Sequence, residues 1–383
     1  MRIYLDNSAT SWPKPEPVYA AVDQYQREIG IAAGRGSYAD AVASQRIVDA
    51  ARREVAALLG APNPDHIITA SNGTDALNLA IHGLLQPGDH VVATVCDHNS
   101  VLRPLAEATR SRDVQVTYVG CDSSGVIDPD DVRKAIRPNT RLVNVTHSSN
   151  VTGAIQPLSE IAPIVKAAGK LLLVDASQSA GHVSIDVAAL GVDLLAASGH
   201  KGLLGPAATG ILYIREGVED QIRPIRQGGT GVESQLDRQP SELPTRFESG
   251  SLNGPGLAGL AAAARYLRQH AAEIARHEAQ LTRRLIEALM AIEGVRVYGP
   301  APGVPRGPVV SFSVEGYDPQ EVAAALDSSR NIQCRAGLHC APKMHEALGT
   351  LATGGLVRMS LGWATTAAEI DAATEAVIAI ARA

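Results

Sequence analysis

The sequence predicts an α/β chain: a large, mostly parallel sheet of seven strands covered by helices, followed by a smaller α+β unit. Three observations carry this. From about residue 60 to 215, seven short runs alternate with helical stretches: "HIITA", "HVVATV", "VQVTYVG", "RLVNVTH", "KLLLVDAS", "VDLLAAS" and "GILYI". They are apolar on both faces, as strands buried inside a parallel sheet are, and Gly, Pro, Asn and Asp punctuate them. Such alternation builds a sheet with helices packed on it. Second, residues 216–256 break the pattern with "RQGGTGVESQLDRQPSELPTRFESGSLNGPG", an irregular loop. Third, the tail changes style. A long helix over about 257–293 places Leu267, Ile274, Leu281, Leu285 and Leu289 on one side. Strand-like "VRVYG", "VVSFSV", "IQCRAG" and "LVRMSL" follow, mixed with helices at about 318–328 and 366–382. The expected division is an N-terminal segment, 1–20, packed on the small domain; a large ligand-binding domain, 21–256; and the small domain, 257–383.

Composition narrows the function. A chain of 383 residues can hold two or three domains with cores. Aromatics make up only 3%, so the interior is built from Ala, Val, Leu and Ile. Acidic residues outnumber basic ones, 40 to 34, and no basic block occurs, which argues against nucleic acid or a membrane surface as partner. No apolar run reaches membrane-spanning length, and "MRIYLDNSAT" has no signal-peptide pattern. Four cysteines in a chain this long do not make a disulfide framework. The expectation is a soluble, reduced, cytoplasmic protein.

In open α/β sheets ligands sit beyond the carboxyl ends of the strands. After "HIITA" comes "SNGTDALN", with Gly73 and Thr74 where a helix begins. A helix N-terminus suits a phosphate, although Ser71 or Thr74 could equally be an ordinary cap. After "HVVATV", His98 could stack on a ligand or serve structure alone. After "RLVNVTH", Asn150 could bond a ligand or merely turn the chain. Asp175 ends the very apolar "KLLLV" and needs a cationic partner there: a protonated pyridine nitrogen, a salt bridge or a helix cap would serve. Gln178 follows three residues later. Lys201 lies in the nearly uncharged "SGHKGLLGPAATG", where an amine can lose water and have its pKa lowered, as a Schiff-base lysine requires. Together these supply a phosphate cradle, a stacking histidine, an aspartate for a ring nitrogen and an amine for an aldehyde. They are the parts of a pyridoxal 5'-phosphate (PLP) site.

The chain resembles class V aminotransferase-fold enzymes, within them the cysteine desulfurase and selenocysteine lyase branch. The motifs, in order, are "YLDNSATSWPKPEPVYAAV", "GRGSY", "SNGTDALN", "DHNSV", "HSSNVTG", "VDASQSAGH", "SGHKGLLGP", "RFESGSLN", "RAGLHCAP" and "VRMSLGW". The resemblance implies the PLP-dependent transferase fold, fold type I. It implies that Lys201 bonds PLP, Asp175 pairs with the pyridine nitrogen, Gln178 with the ring oxygen, and His98 stacks on the ring. Gly73, Thr74, Ser198 and His200 would hold the phosphate, and Ser251 the phosphate of the neighbour in a homodimer. Asn150 and Arg358, with Arg335 nearby, would hold the substrate carboxylate. Cys340 would accept sulfur as a persulfide. One departure is "WATT" after "LG", with Trp363 near the substrate arginine, which bears on substrate size.

Cys340 itself sits in "CRAGLHCAPKMHEALGT", a glycine- and proline-flanked stretch beside Arg335 and His339. A thiol that attacks substrate sulfur must be accessible, ionisable and able to carry its cargo away, and a loop near cationic groups meets those needs. Packing alone is the bland alternative. A zinc set from Cys334, His339, Cys340 and His345 lacks a paired Cys-x-x-Cys element, and no metal is expected. Cys334 reads as core. The compact loop resembles the second group of desulfurases, which implies a sulfur-acceptor protein as a possible partner. The function implied is conversion of L-cysteine to L-alanine; a selenocysteine lyase or a C–S lyase on a cysteine derivative is the alternative. A PLP-dependent regulator would need an appended domain, for which the chain has no basic extension.

Overall fold

The structure, a computed structural model, describes residues 2–383. The chain opens with β1 (Ile3–Tyr4), α1 (Glu16–Gln24) and α2 (Ala39–Leu59). The large sheet and its helices follow: β2 (Ile67–Ala70), α3 (Gly73–Leu84), β3 (His90–Thr94), α4 (Asn99–Arg112), β4 (Gln115–Val119), α5 (Pro129–Ala135), β5 (Thr140–Thr146), α6 (Leu158–Ala167), β6 (Leu171–Asp175), α7 (Val187–Leu190), β7 (Leu194–Ser198) and β8 (Gly210–Ile214). All seven apolar runs are strands of this one sheet, in the order β2-β8-β7-β6-β5-β3-β4. The pairs from β7 through β4 are parallel, and β8 runs antiparallel to both its neighbours.

The central strands are largely apolar because both faces are covered, whereas β4, at the edge, is only half buried. Along β6, Leu172 and Val174 join one buried cluster while Leu173 joins the other; along β7, Leu195 and Ala197 alternate with Leu194 and Ala196 in the same way. Strand β4 lies on one side of β3, and β5 lies on the other. The strand order reverses there, and the carboxyl ends open into a crevice.

Residues 216–253 hold only a single 3-10 turn, Glu219–Gln221. Then α8 (Gly254–Met290) runs from one core to another: Leu257 and Leu267 belong to a cluster of the large sheet, while Leu281, Leu285 and Leu289 belong to the small unit. The small unit contains β9 (Val295–Tyr298), β10 (Val309–Val314), α9 (Pro319–Arg330), β11 (Ile332–Gln333), β12 (Arg335–Gly337), α10 (Pro342–Ala347), β13 (Leu356–Ser360) and α11 (Ala367–Ala381). Its four-stranded sheet runs β12-β13-β10-β9 and is antiparallel. "IQCRAG" is therefore two strands, broken at Cys334: Ile332 and Gln333 pair with Ile3 and Tyr4 of β1, whereas Arg335 to Gly337 pair with β13. The N-terminal segment thus closes onto the small unit. Among the described residues, no helix is long and apolar enough to cross a membrane.

Candidate active site

The carboxyl ends of five strands, β2, β3, β5, β6 and β7, and one loop of the small unit meet at the crevice. A cavity of about 370 Å3, partly open to solvent, is lined by Thr74, His98, Asn150, Asp175, Gln178, Ser198 and Lys201 from the sequence-derived set. Leu77, Ser100, Thr146 and Ser177 complete its wall.

One end is built by α3. Its cap is Asn72, whose side chain accepts the Asp75 N–H at 2.9 Å; neither Ser71 nor Thr74 caps it. Asn72 is the better placed because its extended backbone directs the side chain across the first turn. That leaves Thr74 free to exchange a hydrogen bond with Ser100 at 2.7 Å. The Gly73 N–H donates to Ser198 Oγ at 3.2 Å. A Cβ on Gly73 would stand 2.5 Å from Ser177 Oγ and 2.6 Å from Ser198 Oγ. Two hydroxyls thus converge on the first turn of a twelve-residue helix, where amides and dipole attract an anion.

The other end carries the titratable groups. Asp175 is buried at 4% exposure, accepts the Ser177 N–H at 2.9 Å, and has no ion-pair partner among the described residues. A buried carboxylate without a cation is costly. Burial pushes the Lys201 ammonium down to about 8; Asp175 pulls the other way, and Arg358 and Arg335 add to the depression. Burial also lowers His98 to about 4. His98 caps α4: its Nδ1 accepts the Ser100 N–H at 3.0 Å, so the neutral ring carries its proton on Nε2. Beneath it, Asp97 is fully buried and pushed up to about 6 by burial, while hydrogen bonds from Thr94 and Thr146 pull it back. Those bonds tie the end of β3 to the end of β5.

The substrate side is knitted to the small unit. Arg358, on β13 and 1% exposed, pairs with Asp6 at 2.8 Å and donates to the Asn150 carbonyl at 3.1 Å, while its Nε has no partner. Asn150 donates to the His339 carbonyl at 2.6 Å, and its buried Oδ1 accepts nothing. Arg335 lies opposite Arg358 in register, and its Nη2 is 3.8 Å from Cys340 Sγ. The Cys340 carbonyl accepts the Asn99 N–H at 2.7 Å, which docks the cysteine loop on the start of α4. His339 and Cys340 both take left-handed backbone, φ 48° and 57°, a strained arrangement for two residues with side chains. Cys340 borders a second groove with Thr74, His98, Asn99, Ser100 and Arg103, so it stands at the mouth of the cavity.

Besides Gly73, Arg335, Arg358 and Cys340, described above, three further residues singled out from the sequence lie outside the cavity wall. His200 turns its carbonyl to Ser11 and to the Lys14 ammonium at 2.9 Å, and its ring is pushed down to about 4 by burial. Ser251 is exposed. Trp363 packs edge-on against Tyr266 and donates to the Pro13 carbonyl at 2.9 Å. Among the described residues no three His, Cys, Asp or Glu groups form a metal-holding set. Ser177 is a site residue that motif reasoning passed over; its signal was adjacency, between Asp175 and Gln178. Asp97 gave no signal until β3 and β5 were paired.

The residues present fit PLP. The hydroxyl cradle at Gly73 suits a phosphate, and unpaired Asp175 suits a protonated ring nitrogen. Gln178, whose amide nitrogen already donates to the Ser8 carbonyl at 2.9 Å, keeps a second N–H. The family model for aminotransferase class-V matches residues 3–373. A probable cysteine desulfurase of Methanothermobacter thermautotrophicus is 37% identical over 96% of this chain and 92% of its own length. A cysteine desulfurase of Pectobacterium carotovorum is 32% identical over 96% of this chain and 90% of its own. The apo structure of a cysteine desulfurase from Thermococcus onnurineus superposes with TM-score 0.93 at 35% identity, covering 100% of this chain and 95% of that one. Sequence, fold and the cavity between Gly73 and Lys201 agree: the chain belongs to the class-V aminotransferase family, in its cysteine desulfurase branch.

Proposed function

We propose that this chain is a PLP-dependent cysteine desulfurase that converts L-cysteine to L-alanine and passes the sulfur to Cys340. The observation that carries the reading is the placing of Cys340 at the mouth of the cavity that contains Lys201, 3.8 Å from an arginine nitrogen. PLP, when bound, supplies an aldehyde for amines and an electron-withdrawing ring for the substrate's Cα. Asp175 holds a proton on the ring nitrogen, and His98, neutral in its pocket, offers the ring a flat face. Lys201 Nζ, depressed toward 8, holds or releases a proton near neutral pH and can move the one on Cα. Arg358 and Asn150 orient the substrate carboxylate, in place of the Asp6 contact that Arg358 otherwise makes. The Cys340 thiolate then bonds to the substrate sulfur. The C–S bond breaks, its electron pair stays on carbon, and protonation there gives alanine.

We infer a homodimer, in which exposed Ser251 reaches the neighbour's phosphate, and a sulfur-acceptor protein that visits Cys340. The test is simultaneous measurement of sulfide and alanine from L-cysteine with a reductant, for wild type and Cys340→Ala. Equal yields from wild type, and loss of both in the variant, are expected. Pyruvate and ammonia in place of alanine, or an undiminished variant, would favour a C–S lyase instead.

A further inference from the structure

The long connection between β8 and α8 has little to hold it down. Apart from Pro240, only Phe247 and Glu248 are buried between residues 223 and 253. Glu248 is the charged one. Its side chain, 4% exposed, meets that of Arg52 on α2, 3% exposed. The two groups fork together: Oε1 accepts from Nη1 at 2.7 Å and Oε2 from Nη2 at 2.6 Å.

The pair is also fastened to the backbone. β2 is an edge strand, paired on one side with β8. On its free side the Thr69 N–H and hydroxyl donate to Glu248 Oε1 at 2.6 and 2.7 Å, and the Ile67 carbonyl accepts from Arg52 Nη1 at 3.0 Å. The ion pair thus takes the place of a neighbouring strand along that edge. Apolar side chains of similar volume usually hold a fold as well as a buried ion pair does. What a forked pair with both oxygens engaged adds is a fixed position for the chain that carries it.

That chain carries Ser251. Gly250, at φ 86°, turns it, and the Gly250 N–H donates to the Gly229 carbonyl at 2.8 Å. Just beyond, Asn253 caps α8. Ser251 is therefore an exposed hydroxyl on a stretch tied down on both sides.

We propose that Glu248 is a positioning residue for Ser251: gripped by Arg52 and Thr69, it sets that hydroxyl where the cofactor phosphate of a second copy meets it. The proposal rests on the homodimer reading above. Glu248 itself lies buried against the edge of β2, and it acts on the site of the other subunit through the chain that joins it to Ser251.

Mixed dimers of the holoenzyme, made by co-expression with two different tags, test this. One subunit carries Lys201→Ala. Borohydride can then fix PLP only to Lys201 of the other subunit, whose mass counts it. PLP loss is timed after dilution into cofactor-free buffer. Facing Lys201→Ala/Glu248→Gln, wild-type Lys201 should lose PLP about tenfold faster than when facing Lys201→Ala alone, the loss of one hydrogen bond to an anion. Facing Lys201→Ala/Ser251→Ala it should lose PLP equally fast. Adding Glu248→Gln to that second partner should change nothing more, since both substitutions act through one contact. Should Glu248→Gln prevent folding, Arg52→Met/Glu248→Met removes both charges together and should give the same loss with Tm retained.

Retention unchanged by Glu248→Gln in the facing subunit would overturn the proposal. So would a loss confined to dimers in which that substitution lies in the same chain as Lys201. Either result leaves the homodimer reading standing if Ser251→Ala has its effect. A silent Ser251→Ala, or monomers in sedimentation, would sink both.

Discussion

The large sheet has a cleft at each end, and the bigger one is the wrong place to look for chemistry. At the amino ends of the parallel strands, about 1350 Å3 of open space is lined by Asp89, Asn139, Arg141, Lys166, Lys170 and Asp193, among others. Its charges are spoken for or hydrated: Arg215, half exposed, pairs with Asp193 at 2.7 Å, and Lys170 donates to the Pro138 carbonyl. At the carboxyl ends about 370 Å3 holds an unpaired aspartate, a lysine at about 8 and a histidine at about 4. A site is marked by groups held away from their ordinary states, and volume is a poor guide.

Substitutions at the two ends sharpen the contrast. Lys201→Ala should lower alanine formation by about 10^3-fold or more and abolish the cofactor's visible absorbance. In cofactor-free wild type, the Lys201 amine should react with an acylating reagent with a midpoint at about pH 8. Burial disfavours the ammonium, so the neutral, reactive amine prevails above that pH, well short of the ordinary lysine range. A midpoint above 10, at about 10.4, would show the pocket to be wetter than its geometry indicates. Asp175→Asn should retain the fold and lose about 10^2-fold in turnover, because an amide cannot hold the ring-nitrogen proton. Gly73→Ala should cost about 1–3 kcal/mol of local fit, seen as at least about tenfold weaker PLP retention in equilibrium dialysis. Lys166→Ala, at the far cleft, should leave turnover unchanged and stability within about 0.5 kcal/mol. A loss there comparable to Asp175→Asn would break the comparison.

What the sequence disclosed and what it withheld follow from range. The seven strands were legible because each is a short run rich in β-branched and apolar residues between turn signals, a local consequence of burial that is fullest in the central strands and least in β4. Lys201, Asp175, His98 and Asn150 were legible because they end such strands. The break at Cys334 was not, since it is made by β1, more than 300 residues away in the chain, pairing with Ile332 and Gln333. The α3 cap went to Asn72 over two equally plausible neighbours, a matter of backbone direction that residue type does not express. Arg358's tie to Asp6 and Asn150's to His339 join the N-terminal segment, the large sheet and the small unit, and no pattern within one segment announces them.

The cysteine loop is a short leash. Between the end of β12 at Gly337 and the start of α10 at Pro342 there are only four residues, a reach of about 14 Å when fully extended. Within that span the backbone is tacked down twice, to Asn99 and to Asn150. If Cys340 carries sulfur as proposed, that sulfur would stay at the doorway, and delivery would depend on a visitor whose own thiol comes to it. The speed of such an enzyme would then be set as much by who calls, and how often, as by the chemistry inside.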